Sequence, residues 1–398
     1  MTVATDVLGP SGAATTLVGE GPVLLFLLAL FVLVVALERS GAFEHLARWV
    51  ASRAHRPSDL PYLLFLTFGV LAGFVLNDAL VLVGVPLVFA LARRLSVDPK
   101  PMLLGVAYAV SIGSVLTPLG NPQNLLVALD SGLPSPLVTF VRYLALPTAI
   151  NLTLGAAFLR WSSRRRAGPV VAGSLPAREP VRLLPRGDWG TRLRRYPVLL
   201  VFPVTLVVLF GSDLVAALTG WAGPPSYLIA LAGAFTVLLL TPGRVVLLRR
   251  IDWTILILFA GLFVVVAGAI AGGLLGGIER FLPIPGPTAP LLSSVAAITG
   301  TSLVGSQLVS NVPWVALQIP VLHGLGYGGS SAWAWAALAA GSTLAGNLTL
   351  LGAASNLIVV EQAETRQVSI RLGEFARQGL PLASLTTAVV VGCLALGL

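Results

Sequence analysis

The sequence predicts an all-α polytopic membrane protein built from two inverted repeats, each containing a hairpin and a broken helix. Three observations carry that prediction: a composition too apolar for water, a series of apolar runs of membrane-crossing length, and an echo between the two halves. Of 398 residues, 56% are hydrophobic and only 10% are charged, where soluble domains carry roughly 25% charged residues. The chain cannot be a soluble globule. Its net charge of +9 would suggest nucleic acid only if position were ignored, because the basic residues lie between apolar segments. The single cysteine, Cys393, excludes an internal disulfide and a thiolate cluster. His45, His55 and His323 stand apart, with no HExxH spacing. No cofactor is expected, and no nucleophile–base pair at membrane depth marks an enzyme.

The apolar runs follow in order. The first, 21–37, runs straight into Glu38–Arg39 and reads as a retained membrane helix rather than a cleaved leader. Residues 42–56 read as an amphipathic helix lying on the inner surface. Runs 60–94 and 287–325 are too long for one span of about 20 residues. Each carries an Asn near its middle, Asn77 or Asn311, and each reads as a helical hairpin. Runs 101–131 and 331–362 are interrupted by polar residues and glycine. Simple spans are expected near 135–160, 196–219, 224–241, 254–275 and 378–397. The Arg-, Pro- and Gly-rich stretch 163–195 then links one repeat, 1–162, to a second, 196–398.

Charge sets the orientation. With the N-terminus outside, all of the 25 basic residues except Arg142 and Arg280 fall on the cytoplasmic side, the linker included. A multi-pass location in the cell's inner, cytoplasmic membrane is expected. Asp213 is expected near the outer end of a helix, as an interfacial residue.

The echo is sharpest between TPLGNPQNLLV at 117–127 and TLLGAASNLIV at 349–359. Thr117 to Thr349 and Asn124 to Asn356 are offset by 232 residues. The hairpin pairs Asn77/Asn311 and Pro86/Pro320 are offset by 234, and ALFVLV at 29–34 matches GLFVVV at 261–266. An almost constant offset over some 100 residues indicates internal duplication. Under the charge-derived orientation the halves are inverted, the pattern of secondary transporters, whose sites lie near the midplane where broken helices meet.

Non-helical backbone at membrane depth survives only when buried in protein or lining a wet cavity. Gly120 and Gly352 supply flexibility or a left-handed turn. Asn121 before Pro122 has the order of an N-cap followed by the first position of a new helix. Freed carbonyls at each break can coordinate a cation, and each restarted helix offers amide N–H groups to an anion or polar solute. The candidate solute- and ion-binding residues are Asn77, Asp78, Ser114, Thr117, Gly120, Asn121 and Asn124 in the first half. In the second they are Ser310, Asn311, Asn347, Thr349, Gly352, Ser355 and Asn356. Asp78 is the candidate coupling residue, because a carboxylate there can carry a proton or ligate a cation such as Na+. Trp314, one turn beyond Asn311, is a candidate pocket wall.

The chain resembles the ion transporter superfamily, which includes arsenite efflux permeases, sodium/proton antiporters and divalent-anion/sodium symporters, and its citrate-transporter-like domain. The resemblance rests on FVLNDALVLVGVP, TPLGNPQN, IDWTILILFAGLFV, SNVPWVALQIP and GSTLAGNLTLLGAASNLIV. It implies a dimerising scaffold domain and a transport domain, here around 60–131 and 287–362, that moves in an elevator-like manner. The symporter branch carries a hydroxyl residue after each hairpin Asn. Here the tips read Asn77–Asp78 and Asn311–Val312, which resembles the arsenite permease and antiporter side. The expected activity is secondary active transport of a small inorganic ion or oxyanion coupled to H+ or Na+, as arsenite or antimonite efflux or sodium/proton exchange. A sodium-coupled symporter of a dicarboxylate, citrate or sulfate is the alternative, and an ion channel a remote one. The expected partners are the solute, the bilayer and a second copy of the chain, with no nucleic acid.

Overall fold

The structure, a computed structural model, describes residues 2–53, 59–95, 97–165, 193, 195–221 and 223–398. Most of the 163–195 linker, and the end of the 42–56 segment, lie outside the described residues. Those described are helical throughout, with no strand among them. Six of their helices are long and apolar enough to cross a membrane: Gly21–Arg39, Pro136–Trp161, Val198–Thr219, Trp253–Ala271, Leu291–Val309 and Leu372–Ala395.

The chain opens with α1 (Thr2–Gly19), interrupted at Gly9, where φ is 65°. No periodic apolar pattern foretold this helix, which packs along α12 (Trp253–Ala271). α2 (Gly21–Arg39) starts with Pro22 in its first turn, where the missing N–H is lost at no cost, and carries Arg39 in its last. α3 (Ala42–Arg53) follows.

The run 60–94 is a hairpin, α4 (Leu60–Ala72) and α5 (Asn77–Leu95), joined by a turn over 73–76. α6 (Lys100–Gly113) then gives way to two single 3₁₀ turns, Ser114–Leu116 and Pro118–Gly120, before α7 (Pro122–Asp130) resumes. α8 (Pro136–Arg165) completes the first half. The packed group α9 (Val198–Thr219), α10 (Ser226–Leu240) and α11 (Arg244–Arg250) lies against α2. After α12 comes the short α13 (Leu274–Phe281).

The order hairpin, broken helix, long helix then recurs. α14 (Leu291–Val309) and α15 (Asn311–Gly324) form the hairpin. α16 (Ala332–Leu344), 3₁₀ turns at Ala345–Asn347 and Leu350–Gly352, and α17 (Ala354–Glu364) form the broken helix. α18 (Leu372–Ala395) closes the chain.

The two sets interlock. α5 packs on α17, and α15 packs on α7, so the second arm of each hairpin covers the other set's restarted helix. Gln362 Nε2 donates to the Leu82 carbonyl at 3.4 Å across one contact. His323 Nε2 lies 2.9 Å from the Asp130 carbonyl oxygen across the other.

Asp213 is buried, and its Oδ2 accepts a 2.7 Å hydrogen bond from the Val138 N–H in the first turn of α8. That N–H has no partner inside its own helix, and an anion at a helix N-terminus is favoured by the dipole.

Candidate functional site

Both breaks have the same backbone. Thr117 is extended at φ −141°, ψ 163°, and Thr349 at φ −139°, ψ 164°. Asn121 and Ala353 are extended again at φ −158°, ψ 159° and φ −151°, ψ 143°. Neither Gly120 nor Gly352 has positive φ, so the expected left-handed turn is replaced by close approach. A Cβ on Gly120 would lie 2.5 Å from the Ser114 carbonyl oxygen and 2.6 Å from that of Ala72. One on Gly352 would lie 2.5 Å from the Ala345 oxygen and 2.8 Å from Gln307 Nε2.

The first break is fully knit. Asn121 Oδ1 caps α7 by accepting from the Asn124 N–H at 2.8 Å. Asn124 Nδ2 donates to the Ser114 carbonyl at 2.9 Å and the Thr117 carbonyl at 3.4 Å. The Thr117 hydroxyl donates to the Gly73 carbonyl at the hairpin turn and accepts from the Leu119 N–H at 3.1 Å. Ser114 Oγ donates back to the Ser111 carbonyl. The hub is Thr343, from α16 of the other set. Its hydroxyl donates to Asn124 Oδ1 at 3.0 Å and accepts from Asn121 Nδ2 at 3.2 Å and Gln123 Nε2 at 3.4 Å.

The second break repeats this framework with less closure. Asn356 Nδ2 donates to the Gly346 carbonyl at 2.5 Å and the Thr349 carbonyl at 3.3 Å. Gln307 occupies the position equivalent to Gly73, at the 234 offset. Its Oε1 accepts from the Thr349 hydroxyl at 2.7 Å, and its Nε2 donates to the Ala345 carbonyl at 2.8 Å. Ala353 stands where Asn121 does and offers no side-chain cap. Ser111, the counterpart of Thr343 at the 232 offset, bonds to the Ala107 carbonyl in its own helix instead.

The result is a cluster of unsatisfied groups. Asn347, Ser355 and Asn356 are each 0% exposed. Yet both polar atoms of the Asn347 amide, Ser355 Oγ and Asn356 Oδ1 have no hydrogen-bond partner among the described residues. A buried polar group without a partner costs about 1–3 kcal/mol, and all four of these atoms lie on the second break, between Asn347 and Asn356.

The structure thus brings Ser114, Thr117, Gly120, Asn121 and Asn124 together at one break, and Asn347, Thr349, Gly352, Ser355 and Asn356 at the other. The hairpin-tip candidates stand apart from both networks. The Asn77 side chain accepts from the Asp78 N–H at 2.9 Å, and Ser310 Oγ donates to Asn311 Oδ1 at 3.1 Å. Asp78 lies half-buried in the first turn of α5, the helix packed on α17, and its carboxylate bonds neither break. Ser310 has φ 68° and ψ 162°, a conformation usual only for glycine. Trp314 covers Gly305 of the facing arm, which makes it hairpin packing rather than a wall of either break. Gln123, Gln307 and Thr343 belong to the networks without having been singled out in the sequence. The 232 offset pairing Thr343 with Ser111 was the signal available for one of them.

The citrate transporter family model matches residues 1–341. The chain belongs to the citrate transporter family. Among curated relatives, this family member is 26% identical over 381 residues to a 46 kDa membrane protein of Mycobacterium leprae, covering 92% of this chain and 84% of that one. It is 25% identical over 428 residues to the silicon efflux transporter LSI3 of Oryza sativa subsp. japonica, covering 92% and 85%. Its fold is similar to the YdaH transporter of Alcanivorax borkumensis, with TM-score 0.62 at 17% identity over 96% of this chain and 86% of that one. MtrF of Neisseria gonorrhoeae gives TM-score 0.61 at 14% identity over 97% and 83%. The protein is a multi-pass membrane transporter.

Proposed function

We propose that the chain is a secondary active transporter of a small oxygen-bearing inorganic solute, working by alternating access across the cytoplasmic membrane with a proton carried by Asp78. The observation that carries this reading is the set of four unpartnered polar atoms on Asn347, Ser355 and Asn356. They supply both donors and acceptors and no formal charge. That set suits a hydroxylated acid bound neutral, such as arsenite or antimonite in their hydroxide forms, better than a bare cation. The relative named as a silicon efflux transporter supports a small hydroxylated solute.

Repeat 1 (1–162), the cytoplasmic linker (163–195) and repeat 2 (196–398) are the proposed divisions, with the N-terminus outside. α4–α7 with α14–α17 are the moving unit, and the remaining helices are a dimerising scaffold. The interlock of α5 with α17 and of α15 with α7 supports a unit that moves as one body.

A sodium-coupled symporter of citrate or another divalent anion is the second reading, favoured by the family's description. Weighing against it, residues 101–131 and 331–362 contain no Arg or Lys to offset two negative charges, which leaves that work to helix N-termini.

The test is proton movement in inverted membrane vesicles. Respiration acidifies the interior, a pH-sensitive dye reports it, and arsenite, silicic acid, sodium, lithium and citrate are added in turn. Proton release on adding one hydroxylated solute, lost in Asp78→Asn, is the expected result. No release with any solute, together with sodium-dependent citrate uptake, would replace this reading with the symporter.

A further inference from the structure

A cavity of about 150 Å³ lies away from both breaks. Its wall is built from Ala36 and Arg39 at the end of α2, Arg195 and Tyr196 ahead of α9, Thr241 and Pro242 after α10, and Leu247 of α11. A liquid water takes about 30 Å³, so the space holds several waters or one tetrahedral oxyanion. No carboxylate is among these lining residues.

Arg39 is the informative residue. A basic side chain in the last turn of a helix ordinarily serves the dipole and the free terminal carbonyls. Arg39 Nη1 does not: it is buried and has no hydrogen-bond partner among the described residues. Here two arginines, from segments more than 150 positions apart, line one cavity together with Tyr196 and Thr241. Planar guanidinium donors match tetrahedral oxyanions bidentately. Basic pockets between membrane helices suit anionic headgroups.

We infer that the Arg39–Arg195 cavity is a binding site for a phosphate-bearing anion, distinct from the solute site. The phosphate comes either from an anionic phospholipid headgroup or from free inorganic phosphate.

Purified full-length protein in neutral detergent separates the two sources. One arm titrates inorganic phosphate; the other titrates phosphatidylglycerol in mixed micelles, with phosphatidylcholine as the control. Binding is read by calorimetry and by the thermal midpoint. Saturable binding in one arm is expected, weakened at least about tenfold in Arg39→Gln and in Arg195→Gln, the scale of one lost charge-assisted hydrogen bond. Phosphatidylglycerol alone binding assigns the headgroup; phosphate binding assigns the free anion. If Arg39→Gln fails to fold, Arg195→Gln decides. Binding in neither arm, or binding that survives the folded variants, overturns the site.

Discussion

Asn124 and Asn356 make the same two hydrogen bonds, each within its own broken helix. Asn124 Nδ2 reaches the Ser114 and Thr117 carbonyls, and Asn356 Nδ2 reaches those of Gly346 and Thr349. The difference is at the other amide atom. Asn124 Oδ1 is taken by Thr343, whereas Asn356 Oδ1 is unpartnered. One asparagine is therefore a structural clamp, and the other is a clamp with an acceptor to spare.

Replacement by leucine should separate these roles. Asn124→Leu loses three side-chain bonds against two for Asn356→Leu, so it should be the less stable variant by about 1 kcal/mol. Thermal midpoints in detergent measure the difference. Transport, read in the vesicle assay, should be lost in Asn356→Leu at temperatures where it remains folded.

Thr343 joins the two sets, and removing its hydroxyl strands Asn124 Oδ1 while retaining the shape. Thr343→Val should cost about 1–3 kcal/mol, and Thr343→Ser should restore most of it. Equal midpoints for the valine and serine variants would mean the hydroxyl is not the hub.

Gly120→Ala should be the most damaging single-methyl change in either break. Its Cβ would meet two backbone oxygens, at 2.5 and 2.6 Å, neither of which can swing aside. One of the two contacts at Gly352 is a side-chain amide, so Gly352→Ala should be milder. Overpacking of this kind costs about 1–3 kcal/mol or more, visible as reduced yield of folded protein for Gly120→Ala above all.

Ser310 holds a glycine-type conformation at the hairpin tip, with a strain of about 1–3 kcal/mol. Ser310→Gly should relieve part of that and raise the thermal midpoint. A lowered midpoint would mean that the bond to Asn311 outweighs the strain.

Much of this arrangement was legible because it is written locally and written twice. Thr–x–Leu–Gly marks both breaks, and Asn121–Pro122 announces the restart of α7. Tertiary partnerships were not legible. Thr343 sits in GSTLAG, which reads as close helix packing, and nothing near it in sequence hints at Asn124, 219 positions away. Gln307 lies in an ordinary apolar arm, and only the fold brings it to Thr349. The partner of Asp213, the open first turn of α8, is 75 positions distant.

The Thr343–Asn124 bond also has a consequence for biosynthesis. At about 5–20 residues per second, the ribosome adds Thr343 roughly 10–45 s after Asn124. Throughout that interval the first break exists without its hub, in a membrane that offers its amides nothing in exchange. Until the second half arrives, the local bonds of Asn121 and Asn124 must hold the break while Asn124 Oδ1 lacks the partner it has in the folded chain.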